Sequence, residues 1–115
     1  MKVNLLAENL QKKLTFVKHA ISSRNDLPIL LNVLLVASGD TLTLSSTDLE
    51  IGIQASLPAI VEEEGSVTVP AKTFIELINS LPNEKISLIL EDNTLKVASK
   101  KTKSSFQTIP ANEFP

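Results

Sequence analysis

The sequence has no cysteine, no tryptophan and no tyrosine, a single histidine and only three glycines. Each shortage closes a class of function. Without cysteine there is no disulfide framework, no thiolate nucleophile and no sulfur-ligated zinc site, and the composition suits a reducing compartment. Three glycines are little material for a phosphate-cradling loop, and neither GxxxxGK nor GxGxxG occurs. His19 has no serine or aspartate spaced around it as a triad requires. Aromatic residues make up 3% of the chain against 43% hydrophobic residues, so the core has to be built from Leu, Ile and Val. No apolar run reaches the roughly 20 residues of a membrane helix, and the start MKVNLLAENLQKK lacks the apolar stretch and cleavage site of a signal peptide. A cytoplasmic protein without catalytic machinery, metal site, cofactor or membrane segment is expected.

What the chain does have is one domain's worth of core and an uneven distribution of charge. A chain of 115 residues buries roughly two-thirds of its unfolded surface as a single domain and is too short for two such cores. The net charge is −2, which does not by itself advertise nucleic-acid binding. Yet between Glu8 and Arg24 that one acid faces Lys12, Lys13, Lys18 and Arg24, whereas residues 62–64 read EEE. The acidic run is expected to be a solvated loop.

The order of elements repeats. KVNLL reads as a strand leading into a helix over residues 7–22, with Leu6, Leu10, Leu14, Val17 and Ile21 on one face and Glu8, Lys12, Thr15, His19 and Ser22 on the other. Pro28 stops any continuation, and NVLLVAS, TLTLSS and LEIGIQASLPA read as three strands. In the second half SVTVP is a strand, and AKTFIELINSL is a helix with Phe74, Leu77, Ile78 and Leu81 at i, i+3, i+4 and i+7. KISLILE, TLKVASK and KSSFQTI are three more strands, with turn chemistry in SGDT and EDNT. Strand, helix and three strands thus occur twice, with EEEG between the copies.

Two carboxylates in LSSTDLEIGI, Asp48 and Glu50, are the one pair that invites an acid/base or metal reading. Strand parity argues otherwise. Leu42 and Leu44 sit at even positions, but Leu49, Ile51, Ile53, Ala55 and Leu57 sit at odd ones, so the chain has to turn or bulge over residues 45–48. Asp48 then caps the turn through backbone N–H groups and Glu50 lies on the solvent face.

LPILLNVLL at 27–35, STDLEIGI at 46–53, VPAKTFIELINSLP at 69–82 and FQTIPANEFP at 106–115 resemble, in order and spacing, the first domain of the bacterial DNA polymerase III β subunit family, the sliding clamps. The resemblance covers essentially the whole chain and implies the α+β DNA-clamp fold: a duplicated β-α-β-β-β with two helices packed on antiparallel sheets. It further implies that residues 1–115 are the first of three domains, with two subunits closing head to tail into a homodimeric ring around duplex DNA. Such a processivity factor is a non-catalytic part of the DNA-directed DNA polymerase holoenzyme, and it meets the replicative polymerase and clamp loader through domains absent here.

The family keeps its helices on the inner wall of the ring, facing phosphates without reading sequence. By that resemblance the DNA-binding candidates are Arg24, Lys12, Lys72, His19 and Asn79, diluted by Glu8 and Glu76. Asp26 departs from the family's frequent uncharged residue, and a pairing of Asp26 with Arg24 would weaken that contact. The subunit-interface candidates are Phe106, Ser104, Ser105 and Gln107 on the last strand, with Leu77 and Thr73 flanking Phe106. The competing reading is a protein-interaction module that offers its edge strand to a partner without touching DNA.

Overall fold

The computed structural model describes residues 1–21 and 27–115, so Arg24 and Asp26 lie outside the described residues. In chain order the elements are β1 (Lys2–Leu6), α1 (Ala7–Val17), β2 (Asn32–Ser38), β3 (Thr41–Thr47), β4 (Gly52–Pro58), β5 (Ile60–Glu63), β6 (Gly65–Pro70), α2 (Ala71–Ser80), β7 (Lys85–Glu91), β8 (Thr94–Ala98) and β9 (Lys103–Gln107). Two antiparallel sheets carry them, β5-β1-β7-β8-β9 and β4-β3-β2-β6. The duplicated α+β order read from the sequence is present, but the copies are not separate units. Each repeat lends its first strand to the other: β1 pairs with β7, and β6 pairs with β2.

The exchange leaves two seams between the sheets, and both are closed in the same way. After β4 the Ala59 N–H donates to Asp40 O in the β2–β3 turn (2.9 Å), and the chain runs on as β5 along the free edge of β1. After β9 the Thr108 N–H donates to Asn93 O in the β7–β8 turn (3.1 Å), and Ile109 bridges the free edge of β6 opposite Thr68. Buried hydrophobic side chains from every strand except β5 and β9 fill the space between, with Val3, Leu35, Leu44, Leu57, Val69, Leu88 and Leu95 among those fully or almost fully buried, and Val61 of β5 and Phe106 of β9 pack partly buried against them.

The helices cover this core. Ala7, Leu10, Leu14 and Val17 of α1 and Ala71, Phe74 and Ile78 of α2 are buried, at the three- and four-residue spacing of a helix face. Gln11 ties the pair together: its Nε2 donates to Leu81 O (3.1 Å) and to Ile78 O (2.8 Å), the latter also accepting from the Leu81 N–H at the end of α2. The middle of α1 thus meets the end of α2, while Lys18 and Ile21 line a groove with the first residues of α2. The helices run antiparallel.

Three expectations need correction. The first helix stops at Val17, followed by a 3-10 turn over Lys18–Ala20, because the buried Ser46 hydroxyl donates to Val17 O and Ile21 is already extended. Leu6 is not on the helix face. It ends β1, whose alternation buries Val3 and Leu5 and leaves Leu6 exposed. The acidic run is not a free loop either, since Glu62 and Glu63 lie in β5, Glu62 sits 3.1 Å from Lys2 Nζ, and the Glu64 carboxylate accepts from Ser38 Oγ (3.1 Å) and Gly39 N–H (2.9 Å).

The turn between β3 and β4 does what strand parity requires, slightly later than expected. β3 continues through Thr47, Leu42 opposes Leu57, and residues 48–51 make the reversal with Leu49 at φ 78°. Asp48 Oδ1 accepts from the N–H groups of Glu50 (2.9 Å) and Ile51 (2.8 Å), which holds its carboxyl below the usual range, with the Ile51 bond the larger cause. Glu50 is exposed. Asp48 is thus a turn cap and Glu50 a surface residue, and among the described residues no cluster of three potential metal ligands exists.

Candidate nucleic-acid interface and assembly edge

The outward face of the helix pair follows from which sides are buried. On α1, Lys12 stands opposite the Leu10, Leu14 and Val17 stripe and is exposed, with Glu8 Oε1 3.5 Å from its Nζ one turn earlier. That exposed pair contributes little to stability. It leaves the lysine on a mobile stem at the surface. His19 is exposed in the 3-10 turn that prolongs α1. On α2, Lys72, Glu76 and Asn79 are exposed opposite Phe74 and Ile78. Four of the five expected DNA-facing residues therefore share one outward surface of the two-helix layer, and the fifth, Arg24, lies outside the described residues.

Antiparallel packing adds a residue that sequence reasoning did not single out. Lys18 and Lys72 line one groove, together with Leu31, Thr73 and Glu76, where the end of α1 meets the start of α2. Its only sequence signal was membership in the basic run before residue 24. Lys13 lies 6.0 Å from the ring of the exposed Phe16 and shares a groove with Lys12, Leu57 and Pro58 on the β4 side of α1. Chemically the described part of this surface offers the ammonium groups of Lys12, Lys18 and Lys72, the imidazole of His19 and the amide of Asn79, interspersed with the carboxylates of Glu8 and Glu76.

The second candidate surface is β9. It is the outer strand of its sheet and pairs only with β8, with Phe106 opposite Leu95 and Ser105 opposite Lys96. Ser104 and Phe106 are half-buried, whereas Ser105 and Gln107 are exposed. Phe106 does not simply project outward: its ring meets Phe74 of α2 edge to face, centroids 5.6 Å apart, at the margin of the core. Leu77 is half-buried and Thr73 exposed on the flank of α2 next to Phe74. Lys100, Lys101 and Lys103 crowd the start of the strand, leaving an uncharged stretch behind them.

Two antiparallel helices on one surface, two sheets behind them and strands exchanged between repeats define a protein of the DNA-clamp fold class. The family profile described as DNA polymerase III beta subunit, N-terminal domain, matches residues 1–115. The chain belongs to that family. It is 37% identical over 120 residues to the beta sliding clamp of Pseudomonas putida and 40% identical over 121 residues to that of Synechococcus elongatus, in each case across all of this chain and 32% of the relative. Among solved structures it superposes on pol III beta of Caulobacter crescentus with a TM-score of 0.96 at 34% identity, covering all of this chain and 32% of that one. The DNA polymerase III subunit beta of Pseudomonas aeruginosa gives 0.95 at 36% identity with the same coverage. The chain thus spans about a third of the length of these relatives.

Proposed function

We propose that residues 1–115 form the first of three domains of a DNA-replication processivity factor, a ring that encircles duplex DNA without sequence preference and tethers the replicative polymerase. In this reading the helix layer faces the DNA, the two sheets face outward, and β9 pairs with a second subunit placed head to tail. Lys12, His19, Lys72, Asn79 and Arg24 meet the phosphates, joined by Lys18 from the groove it shares with Lys72. Phe106, Ser104, Ser105, Gln107, Leu77 and Thr73 line the subunit contact. The factor is non-catalytic, needs no cofactor, works in the cytoplasm, and engages polymerase and clamp loader through its other domains.

The observation that carries the reading is the placement of exposed cations on the helices of a fold whose relatives are named sliding clamps. A module that only lends its edge strand has no need of such placement. The test is titration of this chain with duplex DNA at several salt concentrations. A few surface cations without a closed ring are expected to bind weakly, with a slope of log K against log salt of about −2.7 for three neutralised phosphates. Tight binding to one sequence at physiological salt contradicts the proposal.

A further inference from the structure

The two seams are built alike in backbone but not in side chains, and the difference falls at the end of β9. At the first seam, Ser87 Oγ donates to Asn4 Oδ1 (2.6 Å), a bond that stops short of the corner residue Ile60, which is 68% exposed. At the second, Thr68 stands in the position of Asn4 and is completely buried, although it lies on an edge strand. A hydroxyl withdrawn from water is costly unless its hydrogen bonds are replaced. Here both are: Thr68 Oγ1 accepts from Asn32 Nδ2 (3.0 Å) and donates to Ile109 O (2.8 Å). The backbones of Thr68 and Ile109 exchange two more bonds, of 3.0 and 3.1 Å. Asn32 is itself only 5% exposed, so the relay is sheltered from Asn32 to the Thr68 hydroxyl and ends on the half-buried Ile109.

We infer that Thr68, backed by Asn32, is the positioning element that sets the place of the β9 edge for whatever strand pairs with it. An edge strand has one neighbour, and its remaining freedom is fixed at its ends. At one end of β9 a turn is closed by Ser99 N–H to Thr102 O (2.8 Å). At the other, Thr108 is fastened to Asn93 O through both its N–H (3.1 Å) and its hydroxyl (2.9 Å), and Ile109 is fastened to Thr68 by three bonds. Phe106 is two residues before the first of these anchors. The Thr68 relay thus joins the far sheet to the edge strand through two buried side chains, Asn32 and Thr68. The role in assembly rests on the proposed reading of β9 as the subunit contact.

The test compares Thr68→Val, Thr68→Ser and Ser87→Ala in this chain by amide hydrogen exchange, with the amides of β2 and β3 in the same variant as the internal standard. Loss of the hydroxyl's two hydrogen bonds, one of which ends on Ile109, is expected to speed exchange of Ile109 and β9 in Thr68→Val by roughly tenfold more than exchange in β2 and β3. Thr68→Ser restores the protection, and Ser87→Ala loosens β1 and β5 but leaves β9 no faster relative to β2 and β3 than in the wild type. If Thr68→Val does not fold, Asn32→Ala carries the comparison with β3 alone as the standard, because Asn32 begins β2. In the full-length protein Thr68→Val is expected to raise the dimer dissociation constant while Thr68→Ser does not. Uniform loosening, or no rescue by serine, overturns the inference. Selective loosening with an unchanged dimer overturns the link to assembly, and if Phe106→Ala also leaves the dimer unchanged, it is the reading of β9 as the contact that has failed.

Discussion

Phe106→Ala separates two contributions of one ring. The side chain is half-buried at the core margin and meets Phe74 edge to face at 5.6 Å. Removing a fully buried phenylalanine costs about 3–5 kcal/mol. Half of that is the share proper to a half-buried ring, and the aromatic pair, about 0.5–1.5 kcal/mol beyond area, belongs within the same total. The isolated domain is therefore expected to lose about 2 kcal/mol, read as a lower urea midpoint at an unchanged m-value. In the full-length protein the exposed half of the ring is expected to act as an anchor for the partner strand, and about 2 kcal/mol of binding corresponds to a roughly thirtyfold larger dimer dissociation constant. Phe106→Leu returns part of the stability without the edge-to-face geometry. Sedimentation of the full-length variants reads the second effect, and the isolated domain is expected to stay monomeric with or without the change. An unchanged urea midpoint refutes the packing against Phe74. A destabilised domain in an unchanged dimer makes Phe106 purely a core residue and moves the contact to a different strand.

Gln11→Ala removes the side chain that bonds both Ile78 O and Leu81 O, and is expected to cost about 1–2 kcal/mol in urea unfolding while leaving the fold's circular dichroism intact. Asp48 and Glu64 have carboxyls held below their ordinary values by backbone N–H donors, from Ile51 and Glu50 in the first case and from Gly39 with the Ser38 hydroxyl in the second. Their contribution is present above the ordinary carboxylate range and is lost as pH falls through the depressed values, so Asp48→Asn and Glu64→Gln are each expected to flatten the acid limb of a urea-midpoint profile. An acid limb unchanged in both variants contradicts that assignment.

Much of this fold is written in local signals. The helix faces at Leu10, Leu14 and Val17 and at Phe74 and Ile78 are legible because a helix buries every third or fourth residue whatever surrounds it. The parity break before Leu49 is legible because a hairpin is the cheapest way to invert a strand's phase. What stayed hidden depends on distant partners. The strand at Ile60–Glu63 exists only because β1 offers it an edge, and nothing in IVEE distinguishes it from a loop. The exchange of β1 and β6 between repeats is decided by pairing between segments far apart in the chain, which a repeat pattern does not specify. The same holds for the candidate surfaces: Lys12 and Lys72 could be placed from helix periodicity, whereas the meeting of Lys18 with Lys72 needed the antiparallel packing that Gln11 helps fix. Strand alternation placed Phe106 on one face but could not tell that this face is the one toward Phe74.

The central claim is that the helix layer faces DNA inside a closed ring, and retention of the full-length protein on circular duplex DNA tests it most directly. Reversing Lys12, Lys18 and Lys72 to glutamate is expected to leave the fold intact, because all three side chains are exposed. Reversal at Glu63, on β5, is the control, since Glu62 and Glu64 already hold Lys2 and the β2–β3 turn. Wild type is expected to stay on circles and slide off once they are cut. The triple variant is expected to load more slowly and leave cut DNA faster, while the control behaves as wild type. Equal behaviour of the triple variant and the control, or retention that does not change when the circle is cut, contradicts the account.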